Sequence, residues 1–279
     1  MVDGEGRAGS LYVVSTPIGN LRDITLRAID VLRSADLILA EDTRHSRHLL
    51  DHHGIATPML SYHEHNEARA TVTAIARLRE GRDVALISDA GTPLVSDPGA
   101  RLVRAAAEAG IPVVPIPGPS AVLAALVSSA LGSDRFTFFG FLARKGRERD
   151  DALQELSSLG HTSVLYEAPN RVAATLAELG SRGGGERRVV VARELTKQFE
   201  EVRRGTVAEL AAYYESSPPR GEVVIVLEGN THQPLAEDEL RSRARLMRAA
   251  GLSARDVAAA LVREGGASRN LAYRLAHEA

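Results

Sequence analysis

Short apolar runs alternate with amphipathic stretches along the first 230 residues. The runs at 11–15, 37–40, 59–62, 83–88 and 113–116 have strand length. The stretches 25–34, 43–53 and 65–80 between them carry apolar residues at helical spacing. In 25–34 the residues expected to face inward are Leu26, Ile29 and Leu32. Asp97 is expected to cap a helix that starts at Pro98 and stops before Gly110. Pro119 opens another, with Val122, Leu123, Leu126 and Val127 on one side. The same style continues with a strand at 136–141, a helix at 150–159, a strand at 163–167 and a helix opened by Pro169 and closed by Gly180. A loop at 181–188 holds three consecutive glycines. Strands at 189–193 and 200–204, a capping box of Thr206 and Glu209, and a strand at 222–228 complete the series. Strands alternating with helices predict α/β layers in two lobes, 1–118 and 119–230, with 230–236 as a linker. Beyond it the pattern is wholly helical. Helices are expected at 237–250, closed by Gly251; at 254–264, capped by Ser253 with Asp256 in the capping-box position; and at 269–277, capped by Ser268. Three short helices in 237–279 fit a small winged-helix-like or helix-turn-helix-like bundle.

Composition narrows the class. The chain has 279 residues, 44% hydrophobic and 25% charged, as in a soluble globular protein of two ordinary domains. Apolar runs such as 223–227 are too short to cross a membrane. Asp3 and Glu5 stand where a secretory signal would be apolar, and no cysteine is present. Disulfides, thiolate metal sites and a cysteine nucleophile are thereby excluded, and a cytoplasmic location is expected. The net charge of −2 conceals an asymmetry: residues 240–279 hold eight arginines against Asp256, Glu264 and Glu278, a balance of +5, so residues 1–239 carry −7. A polyanionic partner is one reading. The other is an arginine-rich composition filling ordinary surface positions, since only two of the 34 basic residues are lysine.

Several familiar motifs fail. Gly4, Gly6 and Gly9 match a dinucleotide fingerprint by letter but precede the first strand instead of following it. There is no phosphate-binding GxxxxGK[ST] loop. Gly118-Pro-Ser120 lacks the second glycine of a nucleophile elbow. His45, His48 and His52 can share a helix face, but no carboxylate completes a metal site there, so no metal is expected. What survives is a set of three strand-to-helix turns rich in small residues, at 16–20, 88–99 and 117–120. Each alone is an ordinary tight turn. Three at one sheet edge favour a ligand cleft, because ligands of open α/β sheets lie outside the carboxyl ends of the strands.

The segments TPIGNLRDIT (16–25), EDTR (41–44), SDAGTPLVSDPG (88–99), PGPSA (117–121), YEAPNR (166–171), RELTKQFEE (193–201) and RGEVV (220–224) occur in that order. Together they resemble the family of ribosomal RNA small subunit (16S) ribose 2′-O-methyltransferases that modify a cytidine, within the tetrapyrrole (corrin/porphyrin) methylase superfamily. The resemblance runs from about residue 10 to 230, and the helical tail resembles that family's C-terminal domain. It implies a two-lobed fold with an S-adenosylmethionine site in the cleft between the lobes, a homodimer, and 16S RNA within the small subunit as partner. By position, Pro17, Ala90, Gly91, Thr92 and Val95 would line the cofactor from the first lobe, with Ser120 and Ala121 at the junction. Tyr166, Glu167, Leu195, Thr196, Gly221 and Glu222 would contribute from the second. AGTP stands where tetrapyrrole methylases usually have GGDP, which argues against a porphyrin substrate.

Methyl transfer from a sulfonium is an in-line displacement, so a protein mainly aligns nucleophile and methyl. A ribose hydroxyl benefits from a general base or an anion-stabilising cation. Lys197 is a candidate base if burial beside Arg193 lowers its pKa. The alternative is a surface lysine paired with Glu194, Glu200 or Glu201. Glu41, Asp42 and Arg44, at a strand end, either orient the ribose and hold a phosphate or form a salt-bridged turn. Two other functions compete: a small-molecule corrin or porphyrin methylase, which needs no basic helical appendage, and a non-catalytic RNA-binding protein, which needs no intact turns.

Overall fold

A computed structural model describes residues 8–230 and 237–279. Most of the 4–9 glycine pattern and of the 230–236 linker lies outside the described residues. The chain divides into two compact units. One comprises the residues up to Ala124 together with Glu194–Glu200, the other Ala125–Arg193 and Glu201–Ala279.

The first unit runs β1 (Leu11–Val14), α1 (Leu26–Ser34), β2 (Leu37–Ala40), α2 (Thr43–His52), β3 (Met59–Ser61), α3 (Glu67–Arg79), β4 (Val84–Ile87), α4 (Ala100–Glu108) and β5 (Val113–Ile116). The sheet is wholly parallel in the order β3-β2-β4-β1-β5. Its central strands are continuous apolar runs because both faces are covered. Ile38, Ala40, Ala85 and Ile87 pack against α1 and α2 through Ala28, Leu32, Leu49 and Leu50. Leu37, Leu39, Val84 and Leu86 pack against α3 and α4 through Ala74, Leu78, Leu102 and Ala106. Neighbouring strands β1 and β4 therefore send their following helices to opposite faces, which opens a crevice between their carboxyl ends.

Two helical faces and one helix start differ from expectation. Leu26 is 82% exposed, and Ala28 with Leu32 forms the inner stripe of α1, since an alanine lets the helix lie close to the sheet. In α5 (Ala121–Ser129) the buried positions are Val122, Ala125, Leu126 and Ser129, whereas Leu123 and Val127 face out. That spacing of i, i+3, i+4 and i+7 is the true stripe, and small residues fill half of it. Helix α4 begins at Ala100 with Gly99 before it, not at Pro98, because residues 91–99 keep an irregular path with Leu94 and Ser96 at positive φ. It ends as expected, with Gly110 at φ +69.

The second unit continues with β6 (Phe136–Phe141), α6 (Arg147–Ser158), β7 (Thr162–Glu167), α7 (Val172–Leu179), β8 (Arg188–Arg193), β9 (Glu201–Thr206), α8 (Val207–Ser216) and β10 (Val223–Leu227). The sheet order is β6-β7-β10-β8-β9, with β6 parallel to β7 and every other pair antiparallel. Helices α6 to α8 cover one face through Leu153, Leu156, Leu176, Val207 and Leu210. The glycine-rich 181–188 stretch is not all loop: Gly180–Gly184 adds a π-type turn to α7. The Thr206–Glu209 capping box forms in both directions.

Helices α9 (Glu237–Ala249), α10 (Ala254–Gly265) and α11 (Arg269–Glu278) share a core of Leu240, Ala244, Val257, Leu261, Ala272 and Leu275. Ser253 and Ser268 cap α10 and α11 as expected. Met247 packs against this core, but Leu252 is exposed. Among the described residues no helix is long and apolar enough to cross a membrane.

Candidate functional site

The crevice between β1 and β4 is bridged by backbone. Thr16 N donates to Gly91 O at 2.9 Å and Gly91 N to Thr16 O at 3.1 Å, tying the 16–20 turn to the 88–99 turn. Hydroxyls reinforce the tie: Thr16 Oγ1 donates to Ser88 O at 3.1 Å, Ser15 Oγ lies 3.0 Å from Thr92 Oγ1, and Thr92 Oγ1 donates to Pro119 O at 3.2 Å. All three small-residue turns singled out in the sequence thus meet at one edge, carrying Pro17, Ala90, Gly91, Thr92, Val95, Ser120 and Ala121. Close approach explains the glycines. A Cβ on Gly118 would stand 3.0 Å from Ser15 Cβ, and Gly91 sits at φ +83 with Ile18 Cγ2 3.4 Å from where its Cβ would be.

Residues 194–200 return to this same unit. Lys197 packs on the 16–20 turn so tightly that a Cβ on Gly19 would lie 2.3 Å from Lys197 Cγ. Lys197 Nζ is ion-paired with Glu194 Oε1 at 2.9 Å, while Arg193 pairs with Glu201 at 2.8 Å. Leu195 is buried. Glu194 and Thr196 adopt positive φ, +50 and +67, a strained state that costs of order 1–3 kcal/mol per residue and gathers at functional loops. Thr196 N donates to Glu200 Oε2 at 2.6 Å, and its own hydroxyl is buried with no hydrogen-bond partner among the described residues.

Carboxylates crowd the carboxyl ends of β2 and β4. Burial, then the charge of Asp89, raises the pKa of Glu41. Asp89 Oδ1 accepts from Asp42 N at 3.0 Å. Burial pushes Asp97 up to about 6, with Glu41 and Asp89 adding to the rise and a hydrogen bond from Ser88 opposing it. Asp97 is thus a titratable group of the site, not the helix cap that its letter pattern suggests. The signal available in the sequence was its place in the same loop as Gly91. Asp42 caps α2 and accepts from Arg44 N at 2.8 Å and from the Arg44 guanidinium at 3.0 Å, which holds its carboxyl down at about 2. Arg44 itself is exposed.

In the second unit, the register pairs Val223 with both Glu167 and Arg193, which sets Gly221 and Glu222 beside the ends of β7 and β8. Gly221 has φ +82. Glu167 is buried and its carboxylate is fully engaged, by Ala168 N at 2.9 Å, Thr175 Oγ1 at 2.6 Å and Arg171 at 3.2 Å. Arg149, also buried, joins Thr175 to Glu178. Tyr166 points to the opposite face and meets Phe138 and Phe141 with ring centroids 5.0 and 5.3 Å apart.

The tail arginines divide. Arg241 is tied to Glu237 at 3.0 Å and to Glu278 at 2.6 Å, and Arg274 to Glu237 at 2.9 Å. Arg245 and Arg248 border a shallow hollow with Leu252 and Ala279, where Arg248 Nη1 donates to Leu252 O at 2.8 Å. Because the first turn of α9 holds Glu237, Asp238 and Glu239, the helical segment 237–279 sets eight arginines against six acids, a smaller excess than residues 240–279 suggest.

The first sheet is parallel with a switch-point crevice, and the second is mixed. The chain belongs to the tetrapyrrole (corrin/porphyrin) methylase family, whose profile matches residues 10–211. Relatives over nearly the whole length narrow this. The chain is 47% identical over 273 residues to ribosomal RNA small subunit methyltransferase I of Synechocystis sp., covering 97% of this chain and 98% of that one. It is 45% identical to the protein of the same name from Escherichia coli O157:H7, covering 97% and 95%. Among solved structures, diphthine synthase gives a TM-score of 0.64 at 15% identity, covering 80% of this chain and 91% of that one. Uroporphyrin-III C-methyl transferase from Thermus thermophilus, complexed with S-adenosyl homocysteine, gives 0.59 at 19%, covering 79% and 97%. At these identities the structural likeness shows the fold.

Proposed function

We propose that this chain transfers a methyl group from S-adenosylmethionine to the ribose 2′-hydroxyl of a cytidine in small-subunit ribosomal RNA. The observation that carries the reading is the 47% identity to ribosomal RNA small subunit methyltransferase I across 97% of the chain. The switch-point residues fit the donor: Gly91 and Gly118 leave bare backbone in the crevice, and the buried Thr196 hydroxyl needs a partner. Ala90, Gly91, Thr92, Val95, Ser120, Ala121, Leu195 and Thr196 would hold it, largely through backbone. The resemblance also assigns Pro17, Tyr166, Glu167, Gly221 and Glu222 to it. For Glu167 the contact falls to backbone, since its carboxylate is already engaged. When bound, S-adenosylmethionine supplies an activated methyl on sulfonium. The chain aligns the hydroxyl and manages its proton. Asp97, with a carboxyl raised to about 6, is suited to accept that proton near neutral pH. Lys197, ion-paired with Glu194, steadies the developing oxyanion.

Residues 237–279 act as a basic RNA-docking appendage through Arg245 and Arg248, on a body read as lobes 1–118 and 119–230. The assembly is a cytoplasmic homodimer working on the small subunit. Two experiments test the proposal. Calorimetric titration should show stoichiometric S-adenosylmethionine binding. Labelled cofactor incubated with small subunits from a strain lacking the enzyme should label one cytidine ribose on nucleotide mapping. No label on RNA would refute the reading. In the same assay Lys197→Ala should lower turnover at saturating cofactor and leave cofactor affinity nearly intact.

A further inference from the structure

We propose that the bulged edge strand β6 and the basic turn after it form a stacking platform for an unpaired nucleotide of the RNA substrate. Phe141 supplies the aromatic face, and Arg144 and Lys145 the phosphate contacts. The proposal rests on the RNA methyltransferase reading and names a surface that the reading leaves open.

Strand β6 lies at the edge of the mixed sheet. Its register with β7 pairs Phe138 with Val164 and then Phe141 with Tyr166, one residue out of step. Gly140, at φ +63, absorbs the extra residue. Regular alternation would put Phe141 on the face opposite Phe138. The bulge turns it onto the same face, against the Tyr166 ring, while Phe139 packs into the core beneath α6 and α7. Bulges re-aim side chains in this way next to functional sites. Phe141 is left 60% exposed on an edge strand, a position that proteins ordinarily keep free of large apolar groups.

The turn that follows is basic and stiffly held. Arg144, Lys145 and Arg147 are all exposed. Arg147 leans on Asp151 at 3.5 Å. Two inward guanidinium groups pin the backbone from below. Arg149 Nη1 donates to Ala143 O at 3.2 Å, and Arg171 Nη2 donates to Leu142 O at 3.0 Å and Ala143 O at 3.1 Å. An aromatic face flanked by cations on a held backbone is the chemistry that holds single-stranded nucleic acid, by base stacking and phosphate contact.

The test uses the full chain and a fluorescent single-stranded RNA dodecamer, with the matching duplex as control. Each variant is also titrated with S-adenosylmethionine and its mass measured by light scattering. Phe141→Ala should weaken single-strand binding about tenfold with the salt slope unchanged, and Phe141→Tyr should restore it. Arg144→Ala with Lys145→Ala should flatten the slope of log affinity against log salt by about 1.4. Cofactor affinity and mass should stay constant in all three. Unaltered RNA affinity and slope, with the wild-type chain still methylating small subunits, would sink the platform and leave the methyltransferase reading standing. A drop in mass for Phe141→Ala would overturn the proposal by giving the aromatic face to a second copy. A wild-type chain that methylates no RNA would overturn both.

Discussion

The carboxyl edges of the two sheets are built by different means. In the first unit the strands are all parallel, every turn leaves from the same edge, and backbone does the positioning. Thr16 and Gly91 pair main chain to main chain, and Gly91, Leu94, Ser96, Glu194 and Thr196 hold positive φ. In the second unit β10 enters against its neighbours, and its corresponding edge is fixed by side-chain charge. Glu167, Arg171, Thr175, Arg149 and Glu178 form one connected network under the end of β7. A backbone-built edge stores strain and exposes amides to a ligand. A charge-built edge is satisfied internally and has little left to offer. Substitutions should therefore cost function at the first edge and stability at the second.

The largest effect should come from Asp97→Asn. Removing a proton acceptor typically costs about 10²–10⁴-fold in turnover, and cofactor affinity should be nearly unchanged. The wild-type rate should rise with pH through about 6, and the variant should lose that step. Stability runs the other way. Asp97 holds its proton to about 6 in the fold against 3.8 ordinarily, so the folded chain binds the extra proton between these values. Stability from this group therefore declines as pH rises through that window, and Asp97→Asn should remove the decline. A flat rate profile from pH 5 to 8 in the wild type would take Asp97 out of the chemistry.

Arg149→Ala should be next. It removes one of two donors to Ala143 O and the guanidinium that links Thr175 to Glu178, leaving a gap at a buried position, and should cost about 3 kcal/mol in urea unfolding. A loss below about 1 kcal/mol would show that the second edge is not held by charge.

Gly91→Val probes the first edge. A branched side chain at φ +83, facing Ile18, should reduce cofactor affinity about tenfold or more and lower stability by about 1–2 kcal/mol. Unchanged calorimetric affinity in a folded variant would remove residues 88–99 from the binding site. The smallest effects should fall in the helical segment. Arg241→Ala breaks exposed ion pairs and should leave the urea unfolding midpoint nearly unchanged and RNA binding untouched. Arg245→Ala should instead lower the salt slope of RNA binding by about one. Equal slopes for the two variants would end the distinction between the ion-paired Arg241 and Arg245.

The layered α/β pattern, nearly every strand and the three small-residue turns were legible in the sequence, because buried parallel strands and glycine turns leave local signatures. Helix faces were less so. Counting large apolar residues put Leu26, Leu123 and Val127 inside, whereas Ala28, Ala125 and Ser129 take the inner positions that a close-packed sheet admits. Asp97 read as a helix cap because Asp before Pro is the usual start chemistry. Nothing local reveals that Glu41 and Asp89, from other strand ends, crowd it. Lys197 beside the 16–20 turn is a contact across nearly 180 residues, and no periodicity carries such information.

That same contact bears on how the protein is made. Seven residues of the first unit, Glu194–Glu200, are synthesised about seventy residues after Ala124. At roughly 5–20 residues per second, the parallel sheet has several seconds to form before its last segment emerges. During that interval the nascent chain has the 16–20, 88–99 and 117–120 turns but lacks Lys197 and the strained Thr196. The nascent site is therefore incomplete until residues 194–200, which follow β8, have been translated, and a chain stopped before residue 194 carries the scaffold without Lys197.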